Sequence, residues 1–177
     1  LIAMVKSLGD LKYQLAETAL LDLAKKTNGT VLMQVYAALA KLGGKASFQV
    51  FETAAKTCNY QPDNIETMVS YLHYANRLAG LGEMKLSNQL CATVMKNCKA
   101  DNQLIYRSSA LAVPGFASND LFLKEIQNKN KAYRNAVLTN AAAGLNSKTV
   151  GAWISALKKA PVETQAEIIH FLAKCTE

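Results

Sequence analysis

Residues 131–175 read KAYRNAVLTNAAAGLNSKTVGAWISALKKAPVETQAEIIHFLAKC, and their rhythm decides the fold class. Three amphipathic segments follow one another, each about three turns long at about 3.6 residues per turn. KAYRNAVLTNAAAGL is parted from SKTVGAWISALKK by a turn at Asn146, and an Ala160-Pro161 break precedes VETQAEIIHFLAKC. Val150, Trp153, Ile154 and Leu157 recur at the i, i+3, i+4, i+7 spacing of one helix face. Short connections leave each helix only its neighbours to pack against.

The same beat runs upstream. Ile2 to Leu8 reads as a helix that Gly9 ends, and Asp10 as the cap of LKYQLAETALLDLAKK. In that segment Leu11, Leu15 and Ala19 form one stripe and Ala16, Leu20 and Leu23 another. Asn28-Gly29 should close it with a left-handed cap, and Thr30 should start a helix with Val31, Val35, Leu39 and Leu42 inward. That use as a stop and start also accounts for Asn28-Gly29-Thr30, which is formally a glycosylation sequon.

Gly43-Gly44 closes this helix, and the next carries Val50, Phe51, Ala54, Ala55 and Cys58. Asn59 to Pro62 is a turn. Asp63 with Glu66 predicts a capping box ahead of Ile65, Met68, Val69 and Leu72, in a helix broken by Gly80 and Gly82. A further face holds Ser87, Leu90, Cys91, Val94, Met95 and Cys98. Asp101 should cap a shorter helix that Pro114-Gly115 ends, and Ser118 to Asn128 another with Leu121, Phe122 and Ile126. No segment alternates with period two, so the chain is expected to be all-α, with ten or eleven helices.

Composition agrees with ordinary globular packing. Half of the 177 residues are apolar, and the three prolines and nine glycines fall between periodic segments. No apolar run approaches the roughly 18 residues that cross a bilayer. The chain opens Leu1-Ile2-Ala3-Met4 without a signal pattern and stops just after an amphipathic helix, so we expect a fragment of a longer protein.

The net charge of +7 is uneven: residues 1–90 hold 9 Lys+Arg against 7 Asp+Glu, and residues 91–177 hold 11 against 6. A basic half favours an anionic partner. Yet only Arg77, Arg107 and Arg134 are arginines among the twenty basic residues, and phosphate readers favour the planar guanidinium fork. The basic run Lys124, Lys129, Lys131 and Arg134 straddles one expected helix–helix turn. It reads first as a solvated corner and second as an anion or partner contact.

Ten or so short helices with turns of a few residues fit an α-solenoid of antiparallel pairs better than a four-helix bundle or a globin-like fold. Helix starts near Lys131 and Pro161 lie about 30 residues apart, one pair per repeat. In this the chain resembles the HEAT-repeat (armadillo-type) family. Tyr133-Arg134-Asn135-Ala136-Val137-Leu138 matches that family's second-helix pattern, and Gln14 to Leu20 and Gln165 to Ile169 follow it more loosely. The turn Pro and Asp of the family are mostly missing, and the joints Cys58 to Asp63 and Leu111 to Ser118 are longer. The resemblance implies one HEAT-like domain over 1–177, a right-handed superhelix of about five irregular pairs. It also implies a non-catalytic scaffold for a protein partner or a neighbouring domain of the same chain. Nucleic-acid binding is the alternative, or a structural domain of a carbohydrate-active enzyme.

Catalytic signatures are missing: no G-x-S-x-G, H-E-x-x-H, P-loop or G-x-G-x-x-G occurs. Of the two histidines, His73 within Tyr71-Leu72-His73-Tyr74 reads first as part of a partly exposed aromatic face and second as a site residue, and His170 reads as a helix-flank residue; we expect no cofactor and no metal. Cys58, Cys91, Cys98 and Cys175 form no C-x-x-C pair. Cys91 and Cys98 are seven apart on one helix, about 10.5 Å along its axis, too far to bridge. All four read as buried thiols. Trp153 reads as core, packed against Val137 or Ile169. Ile168 and Phe171 are expected to form an end stripe left partly exposed.

Overall fold

Residues 1–173 are described by the computed structural model; Cys175 lies outside them. Helix makes up 74% of the chain, and no strand forms among the described residues. Contacts divide the molecule into two compact units, Leu1–Phe116 and Ala117–Glu177.

The first unit begins with α1 (Ile2–Asp10), which runs through Gly9 instead of ending there. Gly9 is where α1 crosses α3 (Gly29–Leu42): a Cβ on it would lie 2.8 Å from the Ala38 Cα. The glycine therefore permits a close approach, the other use of a residue without a side chain. Asp10 caps nothing; its carboxylate accepts from the Lys41 ammonium of α3 at 2.6 Å. Lys12 then takes a left-handed conformation (φ +50°) and a short 3₁₀ turn follows, so α2 (Glu17–Ala24) starts later than its sequence phase predicts. Leu11 and Leu15, expected inside, are 78% and 81% exposed, whereas Ala16 and Leu20 are buried.

Val35, Leu39 and Leu42 put the expected stripe of α3 into the core, where α3 packs against α1, α2 and α5 (Thr67–Gly80). Gly29 does adopt the left-handed conformation (φ +51°), but as the first residue of α3. Between α3 and α4 (Phe48–Thr57) the Glu17 carboxylate accepts from the Gly44 and Ser47 amides (2.8 and 3.2 Å) and the Ser47 hydroxyl (2.7 Å). Phe51 of α4 stacks on Tyr74 of α5 at 4.5 Å and meets Tyr36 of α3 at 5.9 Å, which locks three helices through one aromatic row.

At the next joint Asn59, Tyr60 and Glu66 are all left-handed. Asp63 does not occupy the cap position of α5 but reaches its first residue, accepting from the Thr67 amide (2.8 Å) and hydroxyl (2.6 Å). Glu66, however, is the residue just before the helix and not its third, so no capping box closes. The face of α6 (Met84–Asn97) is as read: Ser87, Leu90, Cys91 and Val94 are fully buried, and Cys98 just beyond the helix with them, Ser87 donating to the Ala75 carbonyl at 2.8 Å. Ahead of α7 (Leu104–Leu111), Gln103 and not Asp101 serves the turn, its Oε1 accepting from the Lys99 and Ala100 amides (both 3.0 Å). Arg107 donates to the Met95 and Cys98 carbonyls and so closes the C-terminal end of α6.

Burial raises the thiols of Cys91 to about 12 and of Cys98 to about 11, the nearby Arg107 charge lowering the latter. Both are free, as is half-buried Cys58. With Cys175 replaced by Ser, a disulfide reagent at pH 8 should therefore label Cys58 first, and Cys91 and Cys98 only after denaturant is added. Rapid native labelling of either would contradict the packing of α6.

The second unit comprises α8 (Asn119–Glu125), α9 (Lys131–Ala141), α10 (Val150–Lys159) and α11 (Val162–Leu172). Ser118 and Asn130 cap α8 and α9, accepting from the Leu121 (3.2 Å) and Tyr133 (3.0 Å) amides. Of the stripe Val150, Trp153, Ile154, Leu157, only Trp153 is buried, at 1% exposed; Ile154 faces outward. The indole meets Phe171 of α11 at 4.7 Å and donates to the Asn119 side chain at 2.8 Å. Ile169 is exposed, and Ile168 and Phe171, expected at an open end, are buried. Phe171 is buried because the large indole stands over it.

Candidate partner-binding grooves

The basic run divides on folding. Lys124 on α8, Lys129 in the turn and Lys131 at the start of α9 are exposed. Arg134, one turn into α9, is 4% exposed and turned inward. Its Nε and Nη2 donate to the Glu167 carboxylate of α11 at 2.7 and 2.8 Å, a bidentate pair. Its Nη1 donates to the Asn128 and Lys129 carbonyls at 3.0 and 2.9 Å. The guanidinium thus ties the α8–α9 turn to α11 and leaves three lysines facing solvent.

Grooves indent both units among the described residues. One of about 880 Å³ runs between α9 and α11, where Asn135, Thr139 and His170 line a floor containing Leu138 and Ala166. Its charges are mixed, with Lys131 on one wall and Glu163 and Glu167 on the other. A second, of about 350 Å³, lies between α5 and α7. Ile105 is 63% exposed there, facing Val69, with His73 and Asn76 beside them. His73 and His170 are both exposed on grooves.

The third groove, of about 540 Å³, is bounded by α3, α4 and the joint that leads into α5. Leu32, Val50, Ala54 and Ile65 give it apolar walls; Tyr36, Cys58, Asp63 and Thr67 are polar groups along it, and Lys25, Gln49, Thr53 and Thr57 add others. Burial raises the Tyr36 hydroxyl and the Cys58 thiol above their usual range, and the Asp63 charge adds to both shifts. Neither group is therefore disposed to act as a nucleophile at neutral pH.

Sequence reading did not single out Ile105 or Tyr36. A signal for Ile105 existed: Leu104, Ser108 and Leu111 mark the inward face of α7 at i, i+4, i+7, which leaves an isoleucine one position off it. Tyr36 carried none, because an aromatic one residue after Val35 on a helix flanked by two others reads as core. No helix among the described residues is long and apolar enough to cross a membrane. Compared with known proteins, the chain matches no family model, no curated protein and no solved structure.

Proposed function

We propose that the chain is a non-catalytic interaction module, a single HEAT-like α-solenoid of five antiparallel pairs that binds a protein partner along its second helices. One observation carries this reading. Taken as pairs α2/α3, α4/α5 and α6/α7 in the first unit, and α8/α9 and α10/α11 in the second, each second helix touches the next in its unit: α3 with α5, α5 with α7, α9 with α11. Stacking of that kind buries a continuous core and leaves grooves between second helices for ligands. Two of the grooves lie there, and the exposed Ile105 and Val69 in one of them are the apolar anchors such a partner needs. Nucleic acid is less favoured, since Lys131 shares its groove with Glu163 and Glu167.

A photo-crosslinking residue placed at Ile105, and in a parallel protein at Lys96 on the outer face of α6, tests the reading in the source cells. A discrete protein adduct at 105 that Val69→Glu abolishes, with none at 96, is expected. Adducts at 96 only, or at neither position, would overturn it.

A further inference from the structure

We propose that the groove between α3, α4 and the start of α5 holds a small amphipathic amine, its apolar body against Leu32, Val50 and Ile65 and its ammonium at Asp63 and Tyr36. The site lies wholly within the first unit and stands whether or not the grooves between second helices bind protein.

Size comes first: about 540 Å³ falls inside the roughly 300–1,000 Å³ of small-molecule sites. Leu32, Val50 and Ile65 are each only partly buried, so their remaining exposed surface is what a ligand would cover. The polar end then selects the head group. Asp63 accepts two hydrogen bonds, both from Thr67, whereas a carboxylate has about four lone-pair positions. It forms no ion pair among the described residues. Lys25 at the rim directs its ammonium to Asp22 at 3.1 Å and so leaves Asp63 uncompensated.

Tyr36 lines the same groove, and its hydroxyl makes no hydrogen bond among the described residues, although the residue is only 9% exposed. An ammonium has three donors and no acceptor, which suits a carboxylate and a hydroxyl oxygen. A carboxylate ligand would meet the Asp63 charge in a partly desolvated site and be repelled. An alcohol would forgo the charge-assisted bond, roughly twice as strong as a neutral one. The contact of Tyr36 with Phe51, itself stacked on Tyr74, holds this polar end in place before any ligand arrives.

Hexylamine, hexanol and hexanoate share one chain and differ in the head group, so they isolate the polar end. Titrated at pH 7 into isotope-labelled protein and followed by amide chemical shifts, hexylamine should give saturable changes at Leu32, Tyr36 and Ile65. Its Kd should be about tenfold or more below those of the other two probes. Asp63→Asn keeps a side-chain oxygen that can accept from Thr67, and should bring the three probes to near parity. Thr53→Trp at the exposed rim should weaken all three. Equal affinities in the unaltered protein, no saturable change, changes centred elsewhere, or a preference that survives Asp63→Asn would each overturn the proposal.

Discussion

Trp153→Ala should lower stability by about 3–5 kcal/mol, the range for truncating a large buried aromatic. The indole is 1% exposed, lies 4.7 Å from the ring of Phe171, and has its N–H satisfied by Asn119. Two whole helices of the second unit, α10 and α11, and the start of α8 converge on this one side chain. Its loss opens a cavity on Phe171 and strands a polar group at once. Trp153→Phe separates the two effects: the ring volume is largely kept while the Asn119 oxygen loses its donor, for about 1–3 kcal/mol. Urea melts of the three proteins give the comparison, and a near-neutral Trp153→Ala would show that the indole is displayed and not packed.

A comparable loss is expected on breaking the Arg134–Glu167 pair. Side chains only 5% and 10% exposed make this a buried ion pair, and removing one member leaves a charge without compensation. Arg134→Ala should therefore cost about 3–5 kcal/mol, and Glu167→Ala should fall in the same range. Lys129→Ala, in the same turn but facing solvent, should change stability by less than about 0.5 kcal/mol. The double substitution Arg134→Met with Glu167→Leu should recover part of the loss, because an apolar pair of similar volume has no desolvation to offset, while the Asn128 and Lys129 carbonyls still lose their donor. If the double variant were as unstable as the sum of the single ones, the pair would not be acting as a unit.

Helix content was legible where periodicity is strong. The face of α6 was readable because Ser87, Leu90, Cys91 and Val94 repeat at 3.6 and nothing interrupts them. Legibility failed at the joints. Lys12, Asn59, Tyr60 and Glu66 are left-handed without being glycine, and a lysine, a tyrosine or a glutamate in that conformation leaves no mark in the sequence. One such residue at position 12 delayed α2 and put Leu11 and Leu15 in solvent. Gly9 was ambiguous for another reason: a helix stop and a close helix crossing both call for a residue without Cβ, and only Ala38, 29 positions on, tells them apart. The basic turn was half readable. That Lys124, Lys129 and Lys131 face solvent follows from their type, but the inward turn of Arg134 depends on Glu167, 33 residues away. The third groove was invisible for the same cause, since Tyr36 and Asp63 line it from different elements, 27 residues apart.

The Glu17 carboxylate also governs amide exchange. Gly44 and Ser47 lie in a turn, where backbone N–H groups commonly trade with solvent deuterium soon after mixing. Here both donate to a side chain of α2, 27 and 30 residues earlier. Exchange at either requires that carboxylate to withdraw, by a turn of its own side chain or by the parting of α2 from the head of α4. Two turn amides thus report on one side chain of a distant helix, and the free energy drawn from their protection is that of a local opening in the unit, well short of its complete unfolding.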